Sequence, residues 1–368
     1  MRTIGVEEEY LLVTPEGEPS AQSSALLGLA AREVPPTDQP GGDVEKEFKS
    51  EQIETSTPPC TDLGELLAEI RLGRERVDTL AQSVGVRIAA IGTAPQAIDP
   101  TVIPDKRAGQ IRARFGLTAH EQLTCGCHVH VSVADDDEGV RVLDHLRPWT
   151  PVLLALSANS PAWKGVASGY ASYRSQVWGR WPTAGPTAPF VDAVGYRAVV
   201  EQLLSSGTIL DDGMLYFDAR LSQRYPTVEV RVADVCLDAG DAALQAALVR
   251  ALADTAVATP VDHDPPRVEV LRTASWRAAR SGLSGELVSP RTWRPAPAMQ
   301  VVGELVEHVR DALEANGDLE AVERQLTEVR RRGNGAIEQM AWRARGDDDA
   351  AVVRRATQRT LGVPALVS

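Results

Sequence analysis

Three consecutive glutamates interrupt a segment that otherwise has the composition of a β-strand. Residues 3–13 read TIGVEEEYLLV, with β-branched and aromatic residues on both sides of Glu7, Glu8 and Glu9 and a Pro-Glu-Gly turn after them. Successive side chains of a strand point to opposite faces of the sheet, so Glu7 and Glu9 share one face and Glu8 lies on the other. Two carboxylates about 7 Å apart on one face repel each other unless a cation lies between them.

A solvated edge strand would also tolerate these charges. The flanking apolar residues instead favour burial, and a buried carboxylate needs a partner. A divalent cation is the simplest partner for two carboxylates on one face.

Composition limits the classes of partner. A chain of 368 residues with a net charge of −13 lacks the basic surface that nucleic-acid binding needs, so we expect no nucleic-acid partner. It has no run of 18 apolar residues and begins directly with the acidic strand, so we expect neither a membrane span nor a signal peptide. Four cysteines are too few for a disulfide framework in a chain this long, which favours a reducing cytoplasm.

A second acidic segment repeats the pattern of the first. Residues 43–58 alternate imperfectly, as in a strand with a bulge, and contain Glu45, Glu47, Glu51 and Glu54. Positions 47 and 54 have opposite parity in an ideal strand. Their side chains can therefore face one site only if a bulge or a turn intervenes.

Two further strands contain polar residues in apolar surroundings. Residues 123–133 form a strand with His128 and His130 on one face and Val129 on the other. Residues 227–232 are predicted to pair with residues 215–221, and they place Glu229 and Arg231 on one face. A zinc site built from the two histidines with Cys125 and Cys127 is disfavoured, because the cysteines share a face with the valines and C-x-C is not the usual knuckle spacing.

The remaining segments alternate between helices and loops. We expect loops at residues 14–42, around a short helix, at 95–119 and at 159–190. Helical periodicity or capping predicts helices at 62–85, 140–157 with an interruption near Pro148 and Pro151, 199–204, 241–257, 265–280, 297–315, 318–332 and 336–345. Strands that contribute acidic residues and helices that cover them indicate an α+β arrangement.

The segment from residue 170 to 185 combines aromatic rings with arginines in a frame of glycine and proline. Its candidate substrate-binding residues are Tyr173, Arg174, Trp178 and Arg180. Guanidinium groups bind anions through two parallel hydrogen bonds, and flat rings pack against a ligand. An ordered surface loop with no ligand is the alternative interpretation.

The polar residues inside the strands form a candidate metal-binding set: Glu7, Glu9, Glu47, Glu54, His128 and Glu229. Five carboxylates and one imidazole match Mg²⁺ or Mn²⁺ better than zinc. So many carboxylates can hold two or three cations, as phosphoryl transfer from a nucleotide requires.

Several motifs, in this order along nearly the whole chain, resemble the type 2 glutamate–cysteine ligases, also called carboxylate–amine ligases, which are related to glutamine synthetase. The motifs are residues 5–10 (GVEEEY), 52–58 (QIETSTP), 125–131 (CGCHVHV), 173–185 (YRSQVWGRWPTAG), 229–231 (EVR), 274–282 (ASWRAARSG) and 335–339 (GAIEQ). Glu51 departs from the family pattern, and we do not count it as a ligand.

The resemblance implies a glutamine synthetase-like α+β fold, in which a curved, mostly antiparallel catalytic sheet is covered by helices on its outer side. It implies a single catalytic domain over residues 1–368 with a mostly helical part from about residue 241. ATP and two or three Mg²⁺ or Mn²⁺ ions would lie within the curve. Glu7 and Glu9 would serve different cations, with Glu47 and Glu54 beside one of them and His128 and Glu229 completing another site.

The resemblance also implies roles for the basic residues. Arg231 would lie beside the γ-phosphate as a catalytic and nucleotide-binding residue, and His130 would contact the nucleotide. Arg174 and Arg180 would hold substrate carboxylates or phosphate, which makes Arg180 a second catalytic candidate. Trp178 and Tyr173 would complete the substrate site.

The implied activity is ATP-dependent ligation, in which a carboxylate becomes an acyl phosphate and an amine then displaces phosphate. L-Glutamate, through its γ-carboxylate, and L-cysteine are the expected pair, and partners are otherwise small molecules. The same chemistry on another acid or amine, a two-metal hydrolase, and an inactive nucleotide or amino-acid binder are the alternatives. The amine and the oligomeric state, a homo-oligomer included, stay open.

Overall fold

The computed structural model describes residues 1–33, 40–259 and 265–362. Its strands are β1 (Ile4–Val13), β2 (Val44–Lys46), β3 (Gln52–Ser56), β4 (Arg87–Ala89), β5 (Gly126–Ser132), β6 (Ala162–Trp163), β7 (Val166–Ala167), β8 (Ala219–Leu221), β9 (Thr227–Asp234), β10 (Glu286–Val288) and β11 (Pro295–Pro297).

Its α-helices alternate with these strands and dominate the second half of the chain. They are α1 (Ser23–Glu33), α2 (Leu63–Ser83), α3 (Lys106–Phe115), α4 (Leu117–Glu121), α5 (Asp136–Leu146), α6 (Thr150–Ser157), α7 (Arg174–Trp178), α8 (Ala193–Ser205), α9 (Ala239–Ala258), α10 (Val268–Ser281), α11 (Ala298–His308), α12 (Arg310–Asn316), α13 (Leu319–Arg332), α14 (Gly335–Ala344) and α15 (Asp349–Thr360). Short 3₁₀ turns occur at Arg147–Trp149, Asp212–Met214 and Gly282–Ser284.

The acidic strand β1 lies at the centre of an open sheet with the strand order β2-β3-β1-β5-β9-β8. It pairs with β3 on one side. On the other side, its first five residues pair with β5 and its last three pair with β4, so Leu11 lies between Gln52 and Ala89. Every pairing in this sheet is antiparallel. The α+β prediction with an antiparallel sheet is confirmed.

One face of the sheet is apolar and packs against helices. Val129 and Val131 of β5 and Val228 and Val230 of β9 join a buried core with the apolar sides of α5 and α6 and with α9. Helix α9 is buried on nearly every side, which its Ala-, Leu- and Val-rich sequence allows. The opposite face carries the carboxylates and imidazoles of the strands and lines a cleft.

The second acidic segment forms two strands joined by a turn. β2 and β3 pair antiparallel with Glu45 opposite Glu54, and residues 47–51 form the connection. Of the bulge or turn that the sequence required between Glu47 and Glu54, the structure has the turn. The carboxylate of Glu51 accepts hydrogen bonds from the backbone N–H of Thr101, at 3.0 Å to each oxygen, which gives it a structural partner.

Several predicted elements were wrong in type or extent. Residues 95–119, predicted as a loop, contain α3 and most of α4, and the side chain of Asp105 caps α3 by accepting from two backbone N–H groups. Asp238 rather than Asp241 caps α9. The interruption predicted near Pro148 and Pro151 in the helix 140–157 is confirmed, since a 3₁₀ turn separates α5 from α6 where the two prolines begin new turns and cannot donate within a continuous one.

Two elements in the helical part were not predicted. The β10–β11 hairpin has prolines at both ends of its second strand, which hide a strand pattern. Helix α15 buries one narrow apolar stripe, Val352, Val353 and Ala356, in a charged sequence. Residues 34–39, part of the predicted loop 14–42, lie outside the described residues. The single-domain boundary, 1–368, stays a prediction.

All four cysteines are free and buried. Over the part of the chain that the structure describes, no helix combines the length and apolar character that crossing a membrane requires.

Candidate active site

The carboxylate-bearing face of the sheet lines a cleft of about 720 Å³. Strands β1, β3, β5 and β9 form its floor, α3 and residues 222–226 contribute to its walls, and Trp178 and Trp181 border it. All six predicted metal-binding residues line this cleft: Glu7, Glu9, Glu47, Glu54, His128 and Glu229.

The first group of potential ligands consists of three carboxylates. Glu9, Glu47 and Glu54 each place one oxygen within 4.8 Å of the other two. Burial raises the pKa of all three, and a hydrogen bond from Glu54 to Glu47 together with the surrounding carboxylates holds the pKa of Glu54 well above its ordinary value. The backbone N–H of Gly126 donates to Glu9 Oε2 at 2.6 Å. Burial and mutual repulsion thus favour the protonated form of these carboxyls when no cation is bound.

The second and third groups share Glu7. Glu7, His130 and Glu229 form one, and Glu7, Glu54 and His128 form the other. Glu7 Oε1 lies 3.0 Å from His130 Nε2, and Glu7 Oε2 lies 3.3 Å from His128 Nδ1. Although burial alone would raise it, the pKa of Glu7 is held well below its ordinary value by the hydrogen bond with His128 and by the adjacent ring of His130.

The two imidazoles differ in their proton affinity. Burial and the nearby Arg231 lower the pKa of His128 to about 4, so this ring is neutral and can act as a ligand. His128 Nε2 is buried with no hydrogen-bond partner. Burial opposes protonation of His130 too, but its contact with Glu7 outweighs that effect and raises its pKa. Thr227 Oγ1 lies 2.9 Å from His130 Nδ1.

Glu229 already has cationic neighbours within the chain. Arg220 Nε donates to its Oε2 at 2.7 Å, and Arg231 contacts its Oε1. Despite burial, Arg231 and Arg220 lower the pKa of Glu229 to about 2. Glu229 therefore stays ionised and couples the metal-ligand groups to two guanidinium groups.

The three groups bring the six predicted ligands together, and their roles stay predictions. Glu7 and Glu9 lie in different groups, and Glu47 and Glu54 lie with Glu9. His130, expected to contact the nucleotide, is the imidazole grouped with Glu229, whereas His128 Nδ1 lies 3.9 Å from Glu229 Oε1. Across the described residues, no cysteine belongs to any potential metal-binding group.

The predicted recognition loop contributes one ring to the cleft directly. Trp178 lines the cleft and packs beside Tyr216, with their ring centres 4.7 Å apart. The guanidinium carbons of Arg174 and Arg231 lie 5.7 and 6.0 Å from the Trp178 ring centre. Trp178 thus links the loop to β9.

The other three loop residues lie behind or beside the cleft. Arg174 is buried beneath β9, where its Nη2 donates to the Arg231 carbonyl at 3.4 Å. Arg180 is exposed and does not line the cleft, and its Nη1 donates to Glu121 Oε2 at 2.5 Å. Tyr173 packs among aromatic rings, 5.9 Å from Trp163 and 5.7 Å from Tyr170. Their predicted contacts with substrate stay predictions.

The structure adds cleft residues that the sequence reasoning missed. Arg220 and Tyr216 line the cleft, and Arg220 lies opposite Glu229 in the β8–β9 register. The alternation of polar residues at positions 216, 218 and 220 is the signal that could have identified this strand edge. Lys46 and Arg107 also line the cleft, and each is paired with an aspartate.

Comparison with known proteins shows relatives over nearly the full length. A Streptomyces coelicolor protein provisionally named glutamate–cysteine ligase 2 is 50% identical, with coverage of 98% of this chain and 99% of the relative. A Paenarthrobacter aurescens protein provisionally named glutamate–cysteine ligase 2-3 is 50% identical, with coverage of 92% and 79%.

Two solved structures share the fold at 16% identity. The Francisella tularensis glutamate–cysteine ligase in complex with AMP gives a TM-score of 0.67, covering 99% of this chain and 90% of that one. The bifunctional glutathione synthetase of Pasteurella multocida gives 0.69, covering 98% and 52%. The model of glutamate-cysteine ligase family 2 matches residues 3–358. The chain therefore belongs to glutamate–cysteine ligase family 2, and it is an ATP-dependent ligase of this type.

Proposed function

We propose that this ligase joins the γ-carboxylate of L-glutamate to the amine of L-cysteine through an acyl phosphate, giving γ-glutamylcysteine, ADP and phosphate. The observation that supports this most is the arrangement of Glu7 and Glu9 on one face of β1, in separate ligand groups, beside Arg231. The names of the relatives supply the substrate pair, and the AMP complex of the Francisella enzyme supports nucleotide use.

The ligand groups fit two or three Mg²⁺ or Mn²⁺ ions. Glu9, Glu47 and Glu54 would hold one ion, and Glu7 with His130, His128 and Glu229 would hold the others. The fit rests on the donor atoms themselves, because three buried carboxylates repel one another and a buried imidazole nitrogen has no partner. When bound, these ions neutralise the phosphate oxygens of ATP.

The side chains of the cleft would then position the substrates for the two steps, phosphoryl transfer to the carboxylate and attack by the amine. Arg231 is the guanidinium closest to the ligand groups, and its charge would stabilise the phosphoryl group as it passes to the carboxylate. Trp178 would hold substrate against the wall of the cleft. Arg174, Arg180 and Tyr173 complete the proposed substrate site, and Arg174 acts from beneath β9. Small molecules as partners, a cytoplasmic location and one catalytic domain belong to the same proposal.

A panel of acids and amines tests the proposal. We expect ADP and phosphate to form with Mg²⁺ only when both L-glutamate and L-cysteine are present, in a one-to-one ratio with the peptide. A different acid or amine that supports faster ADP formation would keep the chemistry and replace the substrates. Phosphate release from substrates that include no amine, at the same rate, would contradict ligation and favour a two-metal hydrolase.

A further inference from the structure

Asp218 is a half-buried carboxylate next to the cleft that the proposed mechanism does not use. It precedes β8 by one residue, two positions before Arg220, whose side chain lies in the cleft. The backbone N–H of Arg231 donates to the Asp218 carbonyl at 2.8 Å, so Asp218 faces Arg231 across the β8–β9 pair. Its Oδ2 is enclosed and has no hydrogen-bond partner. A buried carboxylate oxygen without a donor is costly unless a ligand supplies one.

The surroundings of Asp218 contain unused donors as well. The Nε atoms of Arg174 and Arg231 are both buried without a hydrogen-bond partner, and both guanidinium groups lie against the ring of Trp178. Arg174 is the charge that acts on the Asp218 carboxylate. The unpaired acceptor of Asp218 and the two unpaired Nε donors complement a ligand that carries an ammonium group together with an anionic oxygen.

The ligation reaction needs such a site for its second step. An ammonium group has no lone pair, so the amine substrate must lose a proton before it can attack the acyl phosphate. Most aliphatic amines are protonated near neutral pH. The cleft therefore needs a base near Arg231, where the acyl phosphate would lie.

We propose that Asp218 binds the ammonium group of the amine substrate and accepts its proton, which places the amine subsite beside Arg231, where β8 and β9 border the cleft. This inference rests on the proposed ligase function. It names an α-amino acid, with an ammonium group and a carboxylate, as the substrate class of this subsite.

The second step moves two protons and replaces a C–O bond with a C–N bond. The ammonium transfers a proton to Asp218 Oδ2 and leaves a neutral amine, whose lone pair forms the C–N bond at the acyl carbon. The C–O bond to phosphate breaks, and phosphate leaves with the second amine proton as HPO₄²⁻. Burial raises the pKa of Asp218 to about 7, with Arg174 opposing the rise, so the carboxyl can accept and release a proton at neutral pH.

Asp218→Asn, compared with Asp136→Asn as a matched control, tests this role. Asp136 is exposed on α5 and pairs with Arg197, away from the cleft. The assay uses L-glutamate, ATP and Mg²⁺ with either L-cysteine or hydroxylamine, which is largely uncharged at neutral pH and needs no base. We expect Asp218→Asn to lower kcat/KM for L-cysteine by about 100-fold and to leave hydroxamate formation within about threefold of wild type.

The pH dependence gives a second readout. The loss with L-cysteine should shrink as pH rises from about 7 to 9, because the amine then deprotonates without a base. If the variant does not fold, the wild-type profile still decides. An acid limb near pH 7 with L-cysteine, and none with hydroxylamine, supports the role, and identical limbs with both amines overturn it.

Three outcomes separate the two proposals. Equal losses with both amines would assign Asp218 to phosphoryl transfer or to the positioning of Arg174, and would overturn the amine subsite. Unchanged kinetics with L-cysteine would also overturn it. A wild-type protein that forms neither peptide nor hydroxamate would overturn the proposed function, and the amine subsite with it.

Discussion

Glutamates on the two faces of β1 have opposite electrostatic surroundings. On the helix-covered face, Glu8 accepts from Arg74 through both oxygens, at 2.6 and 2.9 Å, and Tyr10 Oη donates to it at 2.8 Å. The remaining donors of Arg74 reach the carbonyls of Cys236, Leu237 and Thr360. On the cleft face, Glu7 and Glu9 lie among other carboxylates and imidazoles.

This difference distinguishes a structural charge from a functional one. Glu8 and Arg74 are both nearly inaccessible, at 2% and 1% exposure, and each hydrogen-bonding direction has a partner in the chain. Across the described residues, no arginine or lysine pairs with Glu47 or Glu54, and Arg174 and Arg231 offset only part of the effect at Glu9, so burial and mutual repulsion raise the pKa of all three carboxyls. A partner from outside the chain is what that group lacks.

The largest effect should follow removal of divalent cations. We expect turnover to fall to background after chelation and to return with Mg²⁺ or Mn²⁺ but not with Zn²⁺, because the ligand groups consist mainly of carboxylate oxygens. The measurement is ADP formation before and after each metal is restored. Full activity in protein stripped of every divalent metal would contradict this assignment.

The next largest difference should be in kcat, between conservative substitutions on the cleft face of the sheet and one on the helix-covered face. Glu7→Gln, Glu54→Gln and Glu229→Gln should each lower kcat by at least about 100-fold, since each removes part of a cation site that is worth several kcal/mol to phosphoryl transfer. Glu8→Gln should keep most of the kcat per folded molecule. The measurement is kcat at saturating Mg²⁺, corrected for the folded fraction of each variant determined by circular dichroism. Comparable kcat losses from Glu8→Gln and Glu7→Gln would contradict the division between faces.

Much of this division follows from the sequence, because side-chain alternation depends only on strand geometry. The pattern EEE in an apolar strand separates Glu8 from Glu7 and Glu9, and the same alternation places His128 and His130 together in the cleft. The sequence also predicts that Glu47 and Glu54 can face one site only if a bulge or a turn lies between them, and the structure has the turn.

What the sequence does not contain is the identity of distant partners. Arg74 lies 66 residues from Glu8 in a helix whose periodicity gives no reason to expect a buried charge. The position of Arg174 beneath β9, rather than in the cleft, depends on how residues 159–185 pack on the sheet. Helix α3 was missed because its charged, weakly apolar sequence buries only Ala108 and Ile111.

Replacing Arg74 measures how much the buried Glu8–Arg74 pair contributes to the stability of the fold. Arg74→Met should lower the free energy of unfolding by about 3–5 kcal/mol, because it leaves the Glu8 carboxylate buried without its cation. Chemical denaturation gives the free energy, and the double variant Glu8→Gln with Arg74→Met is the control. The double variant should be more stable than Arg74→Met alone, since no uncompensated charge remains. A single variant as stable as wild type would show that the pair adds nothing to stability.

The smallest effect, and the one of opposite sign, is expected at Glu54 in the metal-free protein. Glu54 has a pKa raised by burial and by Glu47 in the folded state, whereas the unfolded chain has the ordinary value. Between these two values the folded state binds more protons than the unfolded state, so stability falls as pH rises through the raised pKa. Glu54→Gln cannot ionise, and its carboxamide can donate to Glu47. The variant should therefore melt a few degrees higher than wild type at pH 8, with a smaller difference at pH 5.

Magnesium supplies the matching control, because an ion that binds only the folded state should raise the melting temperature of wild type more than that of Glu54→Gln. Glu75→Gln, an exposed position on α2, should change neither melting temperature nor its pH dependence. Differential scanning fluorimetry of the three proteins, with a chelator across the pH range and again with Mg²⁺ added back, measures these differences. A lower metal-free melting temperature for Glu54→Gln at pH 8 would mean that Glu54, like Glu8, has its partner within the chain, and the contrast between the two faces of the sheet would not hold.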